Sequence, residues 1–259
     1  MTLANAKERF SNRVADYMRY RPGYPLGMYD LLARECSLGS DHVIADVGSG
    51  TGFLSKFFLE RGNAVFGVEP NPEMRAGGEE FLREYAKFTS VDGSAEGTTL
   101  RDASVDFVSA GQAFHWFDPQ AAHREFRRIL KPGGFVVTAW NDRRISETRF
   151  GRQYEDLLVR FSVDYSQVRE TYPEAAAMRK FLGEKNFHVY ELPNFQDFDF
   201  EGLAGRLRSS SYAPKEGHAN YESMMKELKR LFDENQVDGR VRMDYTTQIY
   251  FGHLEGPRQ

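Results

Sequence analysis

The stretch Asp46-Val47-Gly48-Ser49-Gly50-Thr51-Gly52 combines residue types at a spacing suited to holding a nucleotide-like ligand. Glycines at alternate positions let a ligand come close to the backbone, and a turn that opens a helix presents N–H groups toward it. Gly48 and Gly50 begin like a dinucleotide fingerprint. The position where that fingerprint needs a third small residue is Phe53, which is too large. Asp46 stands two residues ahead of the glycines. Its carboxylate repels a pyrophosphate and suits a ligand carrying an ammonium and a sulfonium. The turn therefore favours a nucleoside cofactor with cationic groups over NAD.

Glu69 follows the turn at roughly the 20-residue spacing at which an acidic residue accepts hydrogen bonds from ribose hydroxyls. Gly93-Ser94-Ala95-Glu96 is a turn that can meet an adenine, or a plain surface turn. Ala110-Gly111-Gln112-Ala113-Phe114-His115-Trp116-Phe117 places small residues before an amide, an imidazole and an indole, a set suited to a reacting centre. His115 is the candidate base or ligand contact, with a packing role as the competing reading. Tyr17 to Pro25 carries three tyrosines and two arginines in nine residues, more than a connector between helices needs. No Ser-His-Asp order, metal-ligand cluster or phosphate loop competes with these groups, so no metal is expected.

An ordered series of elements must position them. His42 to Val47 is an apolar strand, and Phe53 to Phe58 has helical spacing. Ala64 to Glu69, Phe88 to Val91, Val105 to Ala110 and Phe135 to Trp140 read as further strands. Asn71-Pro72 and Asp118-Pro119 are caps of the helices between them, the second running to Leu130, and Lys131 to Gly134 form a turn. Strands alternating with helices imply a parallel, doubly wound sheet. Ahead of it, residues 8–35 read as two helices, with Phe10, Val14, Tyr17 and Met18 on one and Leu31-Leu32 on the other. After Trp140, helices are expected around Tyr154 to Phe161 and Tyr221 to Phe232, where Met224 and Met225 are core. A strand is expected within Phe187 to Phe200, and a cleanly alternating, antiparallel one from Val241 to Phe251.

The chain has 259 residues, 41% of them hydrophobic and 14% aromatic, enough for one α/β domain with a substantial core. A formal net charge of −4 offers no global attraction to nucleic acid or anionic membrane. Cys36 is the only cysteine, which excludes an intramolecular disulfide. No run approaches membrane-spanning length and no signal-peptide core is visible, so a cytoplasmic monomer or homodimer is expected.

Taken together, Asp46 to Gly52, Glu69, Gly93 to Glu96 and Leu130-Lys131-Pro132-Gly133-Gly134 resemble the class I, seven-strand S-adenosylmethionine-dependent methyltransferases. The resemblance covers residues 40–140. It implies a Rossmann-like, mostly parallel seven-stranded sheet with strand seven antiparallel between five and six, and S-adenosyl-L-methionine as cofactor with S-adenosyl-L-homocysteine as product. Three stretches, Tyr17 to Pro25, Gln112 to Asp118 and Gly205 to Pro214, are similar to the branch that includes trans-aconitate methyltransferase and embryo-abundant-like proteins. Ser94 departs from the family pattern, which commonly has an aspartate facing the adenine there. The expected organisation is one domain: a helical lid at 1–40, a cofactor core at 41–140, and a C-terminal half at 141–259 with substrate-covering helices. Expected cofactor contacts are Tyr17, Arg21, Asp46, Gly48, Ser49, Gly50, Gly52, Glu69, Pro70, Met74, Ser94, Ala95, Glu96, Gly111, Gln112 and His115. Tyr20, Trp116, Arg206, Ser211 and Tyr212 are expected to face the acceptor. The expected reaction is methyl transfer to a carboxylate or hydroxyl oxygen of a small organic molecule. RNA or protein methylation and non-catalytic cofactor binding are the alternatives, and the chain lacks a basic arm and an Asn-Pro-Pro-aromatic motif.

Overall fold

The computed structural model of the chain describes residues 18–163, 165, 175–183 and 185–254. Tyr17 and the rest of the first expected helix up to it lie outside the described residues. In chain order the elements are α1 (Gly27–Cys36), β1 (Val43–Val47), α2 (Phe53–Leu59), β2 (Ala64–Val68), α3 (Pro72–Phe81), β3 (Phe88–Val91) and β4 (Val105–Gly111). There follow a 3₁₀ turn (Phe114–Trp116), α4 (Pro119–Ile129), β5 (Leu130–Arg143), α5 (Arg149–Phe161), α6 (Ala175–Leu182), β6 (His188–Phe198), α7 (Phe200–Arg208), α8 (Tyr221–Asn235) and β7 (Val241–Gly252).

The strands form one seven-stranded sheet in the order β3-β2-β1-β4-β5-β7-β6. β1 to β5 are parallel, and β7 lies antiparallel between β5 and β6. The order reverses beside β1, so the carboxyl ends of β1 and β4 diverge and leave a crevice there. Local chemistry sets the helix starts. Asn71 accepts hydrogen bonds from the Glu73 and Met74 amides, Asp118 does the same for Gln120 and Ala121, and a proline occupies the first turn in both cases.

Three apolar clusters hold the layers together. Met28, Leu31 and Leu32 of α1 join Phe57 and Phe58 of α2 on one face of the sheet, around Ile44 and Phe107. Phe126 and Ile129 of α4 and Met178 and Phe181 of α6 cover the other, around Val47 and Val108. The third joins α5, α7 and α8 to β7 through Leu157, Leu158, Leu203, Leu207, Leu228 and Tyr245, and Met224 is wholly buried in it. Two expectations change. The lid expected over 1–40 does not include α1, whose apolar side belongs to the sheet core, so among the described residues the covering part is the segment just before it. β5 also runs from Leu130 to Arg143 rather than stopping at Trp140, because β7 pairs with it as far as Arg143–Tyr245.

Candidate functional site

At the crevice, Gly48, Gly50 and Gly52 all take left-handed backbone angles, with φ of 68°, 57° and 88°. Glycine is needed for packing as well as conformation at Gly48, where an added Cβ would fall 2.7 Å from the Ala113 Cβ. The turn's amides are not free, however. Gly48 and Ser49 N–H both donate to the Val68 carbonyl at 2.9 and 3.1 Å, Gly52 N–H donates to Ser49 O at 2.8 Å, and Gly50 N–H donates to Glu69 Oε2 at 2.9 Å. The expectation of N–H groups presented to the ligand is thereby corrected at these four residues. The strand β2 and its terminal carboxylate consume most of them, and what the turn offers is a bare, close backbone.

Glu69 does two jobs at once. Its Oε1 accepts from Asn71 N–H at 2.8 Å while Oε2 holds Gly50, so one side chain ties the first turn to the start of α3, and it also lines the cleft. Asp46 is fully buried and lines the cleft floor. Ser55 Oγ donates to its Oδ2 at 2.7 Å and Ser109 Oγ to its Oδ1 at 3.2 Å. Burial pushes its carboxyl up to about 6, against the pull of those two hydroxyls and with a small push from Glu69. The cleft, about 1110 Å³ with the solvent at its mouth included, thus has two carboxylates near the turn.

Most expected contacts line this cleft: Arg21, Asp46, Gly48, Ser49, Gly50, Glu69, Pro70, Met74, the Ser94 to Glu96 turn, Gly111, Gln112 and Trp116. Gly52 and His115 do not. Gly52 caps α2 with its face against Leu82, 2.5 Å from where a Cβ would sit. His115 turns its ring toward Trp116 at 4.7 Å, and burial pulls its pKa down to about 4, so it is neutral at physiological pH but outside the cleft lining. Glu96 is partly engaged, accepting from Asp118 N–H at the start of α4. Gln112 holds a left-handed φ of 57° at the end of β4, a strained conformation for a non-glycine residue at the mouth of the site.

Residues 20–25 cross the carboxyl edge of the sheet and close one side of the cleft. Gly23 O accepts from Asn141 and Asn194, Tyr20 O accepts from Gln196, and Arg21 Nη2 donates to Ser209 O at 2.9 Å. Tyr24 lies so close to Gly111 that an added Cβ would be 2.1 Å from its hydroxyl. Tyr20 packs on α7, where a Cβ on Gly205 would fall 2.0 Å from its ring. The front segment and the segment after β6 therefore meet. Tyr20, Arg206, Ser211 and Tyr212 are not in the cleft lining; all but Ser211 are buried beside it. Tyr24, Asn71, Leu54 and Phe117 line the cleft and lie beyond the expected set. For Tyr24 the signal was present, since it belongs to the tyrosine-rich stretch. Among the described residues no group of three or more His, Cys, Asp or Glu is placed to hold a metal, and no helix is long and apolar enough to cross a membrane.

Comparison with known proteins agrees with this geometry. A methyltransferase-domain family model of type 11 matches residues 45–138. An uncharacterised methyltransferase-like protein of Schizosaccharomyces pombe is 38% identical over 138 residues, 52% of this chain and 52% of that one. An uncharacterised methyltransferase of Mycobacterium bovis is 39% identical over 135 residues, with the same shares. The chain spans about half the length of the curated relatives it matches. Among solved structures, a candidate type II methyltransferase of Anaeromyxobacter dehalogenans superposes with a TM-score of 0.63 at 20% identity, over 92% of this chain and 100% of that chain. The YcgJ protein of Bacillus subtilis does so with a TM-score of 0.52 at 18% identity, over 89% and 98%. These structures share the fold.

Proposed function

We propose that this chain, whose residues 45–138 are a methyltransferase domain of the class I fold, is an S-adenosylmethionine-dependent methyltransferase acting on a small organic molecule. The observation that carries the reading is the state of the glycine turn. Four of its amides are spent on Val68, Ser49 and Glu69, and two carboxylates face the same space. Such a site rejects a pyrophosphate and favours a cationic nucleoside. Phe53, which lines the cleft, obstructs the position a dinucleotide needs small.

Glu69 lines the cleft, and its carboxylate is the acceptor we assign to a ribose diol. Asp46 supplies negative charge from the floor. All of them lining the cleft, the Ser94 to Glu96 turn and Phe117 are assigned here to the base, and Gln112, Trp116, Arg21 and Tyr24 to the acceptor. S-adenosylmethionine, when bound, would supply an activated methyl on a sulfonium for transfer to an acceptor lone pair, with the neutral thioether as leaving group. The chain's own contribution is then proximity, alignment and exclusion of water by residues 20–25. A carboxylate acceptor needs no base at neutral pH. The closed front favours a small acceptor over a polymer, which needs an open groove.

Calorimetry with S-adenosylhomocysteine, S-adenosylmethionine and NAD tests the cofactor. Micromolar-scale binding of the first two without NAD is expected. NAD binding with no response to S-adenosylhomocysteine refutes the reading.

A further inference from the structure

Residues 20–25, which close one side of the cleft, are gripped by their backbone carbonyls. The grip comes from amide side chains of β5 and β6. Asn141 Nδ2 and Asn194 Nδ2 both donate to Gly23 O, at 3.2 and 2.9 Å, and Gln196 Nε2 donates to Tyr20 O at 3.2 Å. Strand register explains the convergence. β7 lies between β5 and β6, with Asn141 opposite Thr247 and Asn194 opposite Tyr245, two residues along.

Asn141 is the most constrained of these amides. It is 8% exposed, and its Oδ1 accepts from Thr247 Oγ1 at 2.5 Å and from Asn194 Nδ2 at 3.0 Å. An amide nitrogen only donates and a carbonyl oxygen only accepts. The Asn141 amide therefore has one workable orientation, Nδ2 toward Gly23 and Oδ1 toward Asn194. Asn141, Asn194 and Thr247 are not in the cleft lining, but what they hold is: Arg21, Pro22 and Tyr24 are on its wall. Gln112, also on the wall, lies against the same residue, with Nε2 3.5 Å from Asn141 O.

The grip is also releasable. Its bonds are neutral, and each exchanges against water at small net cost, unlike the apolar packing that holds α1 on the sheet. An added Cβ on Gly23 would meet nothing within 4 Å, so no close packing fixes that residue. Pro22 and Pro25 stiffen the chain on either side of it. Tyr20 is anchored on α7 and Gly27 begins α1, so the part between them can lift with both ends held. Release of Gly23 frees its neighbour Tyr24 to leave Gly111.

We propose that Asn141 and Asn194 are positioning residues that latch residues 20–25 over the cleft. Closed, the pair sets Arg21 and Tyr24 against the ligand; release at Gly23 opens the path for entry and exit. That ligand is the nucleoside cofactor under the reading proposed above, whereas the latch is a property of the ligand-free chain.

Asn141→Asp tests this with almost no change of shape. The aspartate still accepts from Thr247 and Asn194 but sets a carboxylate oxygen against Gly23 O. Asn194→Asp does the same from the partly exposed edge strand, and decides the matter if the buried aspartate prevents folding. Stopped-flow tryptophan fluorescence, with Trp116 on the cleft wall, reads S-adenosylhomocysteine association and dissociation. Dissociation should be at least about fivefold faster, with association no slower than in wild type. In the ligand-free chain, proteinase K should cut between residues 20 and 26 faster than in wild type, with the cuts located by mass spectrometry. Wild-type rates in both assays overturn the latch. So does slower association with a lower melting temperature, since a cleft merely loosened admits its ligand less well. If the wild type binds no S-adenosylhomocysteine, the cofactor reading fails and proteolysis alone judges the latch: faster cutting in the variants keeps it, and equal cutting overturns it.

Discussion

Replacing Asp46 by asparagine removes a buried charge while keeping the side chain's shape, and the structure sets the size of the response. In the folded chain, burial raises the Asp46 carboxyl from 3.8 to about 6, with Ser55 and Ser109 opposing and Glu69 adding. The folded chain therefore holds this proton up to about pH 6, while the unfolded chain releases it near 3.8. The stability the protonated carboxyl contributes is fully present below the unfolded value and is lost as pH rises through the folded one. At about 1.4 kcal/mol per pH unit, the loss is on the order of 3 kcal/mol. The asparagine of the variant titrates nowhere in this range; its amide can still accept from Ser55 and donate to Ser109. The stability difference between Asp46→Asn and wild type should thus shift in favour of asparagine by about 2–3 kcal/mol between roughly pH 4 and 7.5. Urea unfolding of both ligand-free chains, followed by circular dichroism at several pH values, measures it. Cofactor binding should run the other way. A cation stabilises ionised Asp46, so wild-type affinity for S-adenosylmethionine should fall as pH drops through about 6, and Asp46→Asn should bind about tenfold more weakly or worse at about pH 7.5. A pH-independent stability difference between the two chains refutes the burial argument.

Glu69→Ala leaves the Gly50 and Asn71 amides without their acceptor, so stability should fall by about 1–3 kcal/mol together with a roughly tenfold or greater loss of cofactor affinity; thermal melting and calorimetry on the same sample check both, and wild-type melting would show that the brace is idle. Gly205→Ala drives a methyl into the Tyr20 ring and should destabilise by about 1–3 kcal/mol while speeding trypsin cleavage after Arg19 and Arg21. Adding Tyr20→Ala should restore part of that stability, and simple addition of the two losses would refute the contact. Glu155→Ala strands Arg143 and Tyr165 in the third cluster and should cost about 3–5 kcal/mol in urea unfolding; a loss under about 1 kcal/mol would mean the pair behaves as a surface one.

What could be read from the sequence alone was what neighbouring residues decide among themselves. The glycine turn, the Asn71 and Asp118 caps and the strict alternation from Val241 to Phe251 depend on backbone angles and on a period of two, both local properties, and each stands in the structure. The order of alternating strands and helices, with the handedness of their connections, was enough for the parallel half of the sheet. Helices α6 and α7 are not legible in this way. Their short apolar faces, Met178 with Phe181 and Leu203 with Leu207, make sense only once there is a cluster to bury them in, although Asp199 is a cap signal for the second. The tertiary structure alone decided the destiny of each charge. Residue spacing can bring Glu69 to a strand end, but only the return of β2 beside β1 shows that its carboxylate holds Gly50 as well as facing the cleft. Arg206 and Arg208 are both basic residues in the last turn of one helix, yet only Arg206 is buried, because α7 packs against β7 and the front segment along that side. Burial is a property of what the rest of the chain brings to a residue, and it sets both the pKa of a carboxyl and how strongly a guanidinium depends on its partners.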